Sequence, residues 1–170
     1  MKNERVKKIV GRMKEKEILQ QLVMSNKPEF LALYGRRRIG KTFLIKNFFD
    51  EAPCVFFHAT GIQNGKLIDQ LEQFFKQLGK TFYGKAKIAV RNRWLDAFED
   101  LTEAIQQAEK TRKIVLFFDE FPWMATKRSG LLQALEYYWN RYWSNDSRIK
   151  LVICGSSSSW IIEKIINNRG

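Results

Sequence analysis

A short apolar run at residues 30–34, "FLALY", leads directly into "GRRRIGKT" at residues 35–42, and "FLIKNFF" follows at 43–49. No other stretch of the chain constrains its fold so strongly. The octapeptide meets G-x-x-x-x-G-K-[ST] at every fixed position. That pattern has a mechanism only between a strand and a helix, which is where it stands here. Gly35 and Gly40 let the backbone turn tightly enough for successive N–H groups to point inward. A helix opening near Lys41 adds the positive end of its dipole. Such a loop binds phosphate. The spacing directs Lys41 to the β- and γ-phosphates of a nucleotide and the Thr42 hydroxyl to Mg²⁺. Arg36, Arg37, Arg38 and Ile39 fill the variable positions of this Walker A pattern and complete the expected nucleotide-binding set. The three arginines either touch phosphates, a partner or nucleic acid, or form a solvated loop tip.

The rest of the chain repeats the strand-and-helix alternation. Met13, Ile18, Leu19, Leu22 and Val23 fit one face of an opening helix, within a leading helical segment over 1–27 that the turn "SNKP" ends. Further apolar strands are expected at 54–59, 113–118 and 150–155. Helical spacing recurs at Leu67, Leu71, Phe74, Phe75 and Leu78, at Trp94, Leu95, Phe98, Leu101 and Ile105, and again over 130–143, with a last helix beginning at 160–166. Near-continuous apolar strands alternating with helices indicate a parallel sheet covered on both faces, an α/β three-layer domain.

"IVLFFDEFPWM" sets Asp119 and Glu120 at the carboxyl end of the third strand, the end at which open α/β sheets bind ligands. In this Walker B position Asp119 is expected to hold Mg²⁺ through water, completing the metal site begun by Thr42. Glu120 is placed to take a proton from water attacking the γ-phosphate. An adjacent glutamate of this kind suits an ATPase and is not needed by a small-substrate kinase. "CGSSSSW" after the fourth strand offers a hydroxyl beside the γ-phosphate, Ser156 first and Ser157 second. These serines otherwise cap the next helix. His58, ending the second strand, either contacts Glu120 and holds it inactive or is a satisfied near-core histidine.

Composition narrows the setting. The 170 residues suffice for one domain, and 45% hydrophobic with 14% aromatic content describes a folded chain. A net charge of +12 favours polyanionic partners. Cys54 and Cys154 lie in apolar runs without C-x-x-C spacing, which reads as buried reduced thiols, and a single histidine builds no histidine-based metal site. There is no apolar stretch of membrane-spanning length and no signal-peptide core, so the expectation is a cytoplasmic domain without a membrane partner. Lys76, Lys80, Lys85, Lys87, Arg91 and Arg93 form a basic stretch over 76–93, interleaved with Phe82, Tyr83 and Trp94. It reads equally as a nucleic-acid surface or as a solvated connector.

Together these segments resemble the AAA-like P-loop ATPases common in archaea and some bacteria, which are related to the STAND signalling ATPases. The matching stretches are "IVGRMKEKEILQQL", "LYGRRRIGKTFLI", "LFFDEFPWM" and "LVICGSSSSWI". The resemblance implies ATP as the nucleotide, Lys41 and Thr42 in the phosphate and Mg²⁺ roles, and Asp119 with Glu120 as the hydrolytic pair. It also implies that Gly11 and Arg12 lie near the adenine. Members of this family carry a further strand, a helical lid and additional regions. Residues 1–170 are therefore expected to be the N-terminal ATPase portion of a longer protein, with the phosphate-loop strand left uncovered on one side. The expected function is a nucleotide switch that hydrolyses ATP slowly and engages a protein partner or a second copy. The alternatives are a nucleic-acid-associated motor or loader and, less in keeping with Glu120, a small-substrate P-loop kinase.

Overall fold

The computed structural model describes residues 12–167. Four parallel strands form one sheet in the order β1-β4-β3-β2, with β1 at Glu29–Tyr34, β2 at Cys54–Thr60, β3 at Lys113–Asp119 and β4 at Ile149–Gly155. Each strand falls where the apolar runs place it, extended by one residue in every case. The two central strands are buried almost end to end, which is why their sequences are continuously apolar and do not alternate.

Alternation along these strands divides the core in two. Val115, Phe117, Val152 and Cys154 pack on one face with Leu19 and Leu22 of α1 (Met13–Met24) and Leu44, Ile45 and Phe49 of α2 (Lys41–Asp50). Ile114, Leu116, Phe118, Leu151 and Ile153 pack on the other. There they meet α3 (Leu67–Phe82), α4 (Trp94–Gln107) and α6 (Leu131–Arg141). This is the three-layer α/β arrangement.

Local differences from the sequence reading have physical causes. Met13 and Ile18 are 66% and 50% exposed, because α1 meets the core through Leu19 and Leu22, with Val23 partly buried against it. The helix expected over 130–143 ends at Arg141, and Trp143 enters a 3₁₀ turn where its indole N–H reaches the Thr102 hydroxyl at 3.0 Å inside the core. The last helix starts earlier, as α7 (Ser158–Ile161), and widens into a π-turn over Ile162–Ile166. The carbonyls at the end of α4 are satisfied by Arg148, whose guanidinium donates to Ile105, Ala108 and Glu109 while paired with Asp146 at 2.6 Å.

The register sets the site. Tyr34 pairs with Gly155, Phe118 with Ile153 and Thr60 with Asp119, so all four carboxyl ends finish on one edge of the sheet. Because β4 lies between β1 and β3, the turn after Gly155 must lie between the glycine loop and the acidic pair.

Candidate functional site

The loop leaving β1 reverses through Gly40, whose φ of 80° opens α2 in a left-handed conformation that a side chain resists. Lys41 follows and is only 7% exposed. Its Nζ donates to the carbonyls of Gly35 at 2.7 Å and Arg36 at 2.8 Å, drawing the loop around the ammonium. Arg12, preceding α1, donates to the carbonyl of Ile39 and so braces the same loop from outside. Gly11 lies outside the described residues.

Thr42, one residue into α2, donates through Oγ1 to Asp119 Oδ2 at 2.8 Å, a bond across 77 positions of sequence. Asp119 is 3% exposed. Burial opposes its charge, but the His58 ring 3.8 Å away, the Thr42 hydroxyl and the Glu120 N–H outweigh it and hold the carboxyl below its ordinary value. It is therefore a carboxylate at neutral pH. Behind it, the Cys154 thiol is pushed up by burial and by the Asp119 charge, so it stays protonated and inert.

Glu120 has φ 47° and ψ 46°, a left-handed backbone uncommon for a glutamate. That turn starts the short helix α5 (Phe121–Met124), which the sequence reading missed. It requires a glycine next door: a Cβ at Gly61 would stand 2.5 Å from the Glu120 carbonyl. Gly61, whose N–H donates to the Asp119 carbonyl at 2.9 Å, is a supporting residue that no sequence signal marked.

The same turn sends the Glu120 side chain toward β4. Its Oε2 accepts from the Ser156 hydroxyl at 3.0 Å and from the Ser156 N–H at 3.3 Å. Of the two readings of His58, the structure shows the satisfied near-core histidine and not the contact with Glu120. His58 sits on β2, on the opposite flank of β3, with Nε2 3.0 Å from Thr60 Oγ1 and 3.8 Å from Asp119 Oδ2, and its ring stacks on Phe117. Ser157, the second candidate serine, precedes α7 without capping it through its side chain.

Arg37, Arg38, Gly40, Lys41, Thr42, Phe43, Glu120 and Trp123 line an open cleft of about 370 Å³. The donors around Thr42 and Asp119 are hard oxygens, one of them ionised, which suits Mg²⁺. Among the described residues no group of three or more His, Cys, Asp or Glu is arranged to hold a metal. A cation here would draw its remaining oxygens from phosphate and water.

Of the aromatics in the basic stretch over 76–93, Tyr83 is exposed and Phe82 half-buried. Trp94 is fully buried in the core, Arg91 pairs with Asp100 at 2.8 Å, and Arg93 pairs with Asp96 at 2.6 Å. The acids of α4, outside the stretch in sequence, fold back onto it. Lys76, Lys80, Lys85 and Lys87 stay exposed. No helix among the described residues is long and apolar enough to cross a membrane.

Comparison with known proteins places this geometry. An uncharacterised protein of Methanocaldococcus jannaschii is 26% identical over 159 residues, 93% of this chain and 32% of that protein. A segment of 41 residues, 24% of this chain, is 49% identical to an uncharacterised ATP-binding protein of the same organism and covers 70% of it. Among solved structures, the Walker-type ATPase PABY2304 of Pyrococcus abyssi has a TM-score of 0.58 at 19% identity, over 93% of this chain and 48% of that one. The Aeropyrum pernix ORC2 protein, solved in ADPNP–ADP complexes, has a TM-score of 0.59 at 20% identity, over 97% and 48%. Drosophila ORC bound to DNA reaches 0.60 at 17% identity, over 94% and 41%. These likenesses establish the fold, and the chain spans less than half of each of the three structures. A family model described as an ATPase domain predominantly from Archaea matches residues 9–170, nearly the whole length. The chain belongs to that family of archaeal ATPase domains.

Proposed function

We propose that this domain binds ATP with Mg²⁺ at the loop over 35–42 and hydrolyses it slowly, acting as a nucleotide switch within a larger protein. The observation that carries the reading is the 2.8 Å bond from Thr42 to Asp119, with Glu120 the next residue along the chain. It joins a phosphate-binding loop to an acidic strand end.

In this reading the loop N–H groups and the start of α2 take the phosphates. Lys41 exchanges the Gly35 and Arg36 carbonyls for β- and γ-phosphate oxygens. Thr42 and Asp119 would hold Mg²⁺, which neutralises developing phosphate charge when bound. Glu120 accepts a proton as the oxygen of water bonds to the γ-phosphorus and the bond to the bridging oxygen of ADP breaks. The products are ADP and inorganic phosphate. Ser156, bonded to Glu120, fixes that carboxylate and presents a hydroxyl to the attacking water. Arg12, beside which the resemblance places the adenine, steadies the loop through the Ile39 carbonyl.

The test is Glu120→Gln. An amide keeps the shape but accepts no proton, so Mg²⁺-dependent ATP binding should persist within about threefold while phosphate release falls about a hundredfold or more. Phosphate release at the unaltered rate would place the base elsewhere.

A further inference from the structure

Among the three consecutive arginines of the loop, Arg37 alone reaches across the cleft. Its guanidinium lies over the Trp123 ring at 4.7 Å, and its Nε donates to Ser156 Oγ at 3.4 Å, a long bond. That hydroxyl in turn donates to Glu120. One side chain thus links the loop after β1, the α5 turn after β3 and the turn after β4.

The electrostatics are unusual for a structural strut. Arg91, Arg93 and Arg148 each face a carboxylate at 2.8 Å or less. Among the described residues Arg37 has none within ion-pair distance; its partners are a neutral hydroxyl and an aromatic face. A guanidinium carries five donors in a planar fork that matches phosphate oxygens. Resting on a ring, it keeps that fork open toward the cleft shared with Lys41, Thr42 and Glu120. The terminal group of a triphosphate held by the loop would stand between Thr42 and Glu120. A diphosphate places nothing there.

We propose that Arg37 is the residue by which this site distinguishes a nucleoside triphosphate from a diphosphate. This rests on the proposed ATP site and deepens it. With a triphosphate bound, the guanidinium gives up its long bond to Ser156 and hydrogen-bonds the γ-phosphate, with the half-buried Trp123 as the plate along which it moves. The Ser156 hydroxyl is then relieved of one donor while it continues to bond Glu120. Nucleotide state is in this way transmitted to the proposed base through Ser156.

The experiment measures affinities for ADP and for the non-hydrolysable triphosphate AMP-PNP, with Mg²⁺, by calorimetry on the full chain and its variants. Arg37→Ala should lower AMP-PNP affinity about tenfold or more, the scale of a lost charge-assisted bond, and leave ADP affinity within about twofold. Arg37→Lys, which keeps charge but not the fork, should fall between. Tryptophan emission should change with AMP-PNP and not with ADP, and Trp123→Phe should abolish that difference. Equal weakening of both nucleotides would make Arg37 a strut that shapes the loop and would overturn the proposal. So would an unchanged ratio, or an ADP-induced change that Trp123→Phe removes. Wild-type protein binding neither nucleotide would overturn the ATP site itself. ADP and AMP-PNP binding with an unchanged ratio in Arg37→Ala would remove only the role of Arg37.

Discussion

Two charged side chains leave water at opposite ends of the sheet, with opposite results. Asp119 keeps its charge because Thr42, His58 and the Glu120 N–H compensate for burial. Lys150, fully buried near the start of β4, has Nζ donating to the carbonyls of Ser147 at 3.1 Å and Lys27, without a carboxylate in contact. Burial first, and the Lys113 charge second, push its ammonium down to about 8 from an ordinary 10.5. The unfolded chain therefore binds more protons than the folded one between pH 8 and 10.5, and stability attributable to this residue must rise with pH through that window. The buried Cys54 thiol, raised to about 11, works the other way once the unfolded thiol ionises near 9. Comparing wild type with Lys150→Met isolates the lysine, since both keep the cysteines. Denaturation from pH 7.5 to 10 should show wild type gaining about 1 kcal/mol per pH unit on the variant above pH 8. Parallel curves would mean that the ammonium is solvated.

β1 is paired on one side only among the described residues, and Phe30 and Tyr34 on it are 38% and 44% exposed. A strand edge of that kind templates pairing with another chain. Sedimentation should show concentration-dependent association of this 170-residue chain; monodisperse monomer at high concentration would show that edge to be adequately protected. The elements legible in the sequence were those whose burial is settled locally. β3 and β4 are buried on both faces, so their apolar runs could be read directly. α5 was illegible because its four residues carry no period and its turn depends on the close approach of Gly61, the residue that follows β2. Trp94 reads as a stacking aromatic beside its basic neighbours, yet it is the helical spacing of α4 that sinks it into the core. The phosphate loop and acidic pair were readable as motifs. The Arg37–Trp123 contact and the reach of Glu120 to Ser156 were not, since each depends on strand order and on one left-handed residue.

At the scale of the whole molecule, strand order brings the two motifs together. Placing β4 between β1 and β3 sets Ser156 between the loop and the acidic pair, and the shared carboxyl edge lets Thr42 meet Asp119. Everything proposed for this domain requires that loop 35–42 is a nucleotide site and that Lys41 is its charged centre. The most direct measurement is ATP affinity, with Mg²⁺, for wild type and Lys41→Ala, alongside thermal melts without nucleotide. Nζ satisfies two loop carbonyls but serves no part of the hydrophobic core, so the melts should differ by only a few degrees. ATP affinity should fall about tenfold or more in the variant, because the charge facing the β- and γ-phosphates is gone. Equal ATP affinity in the two proteins would contradict the account.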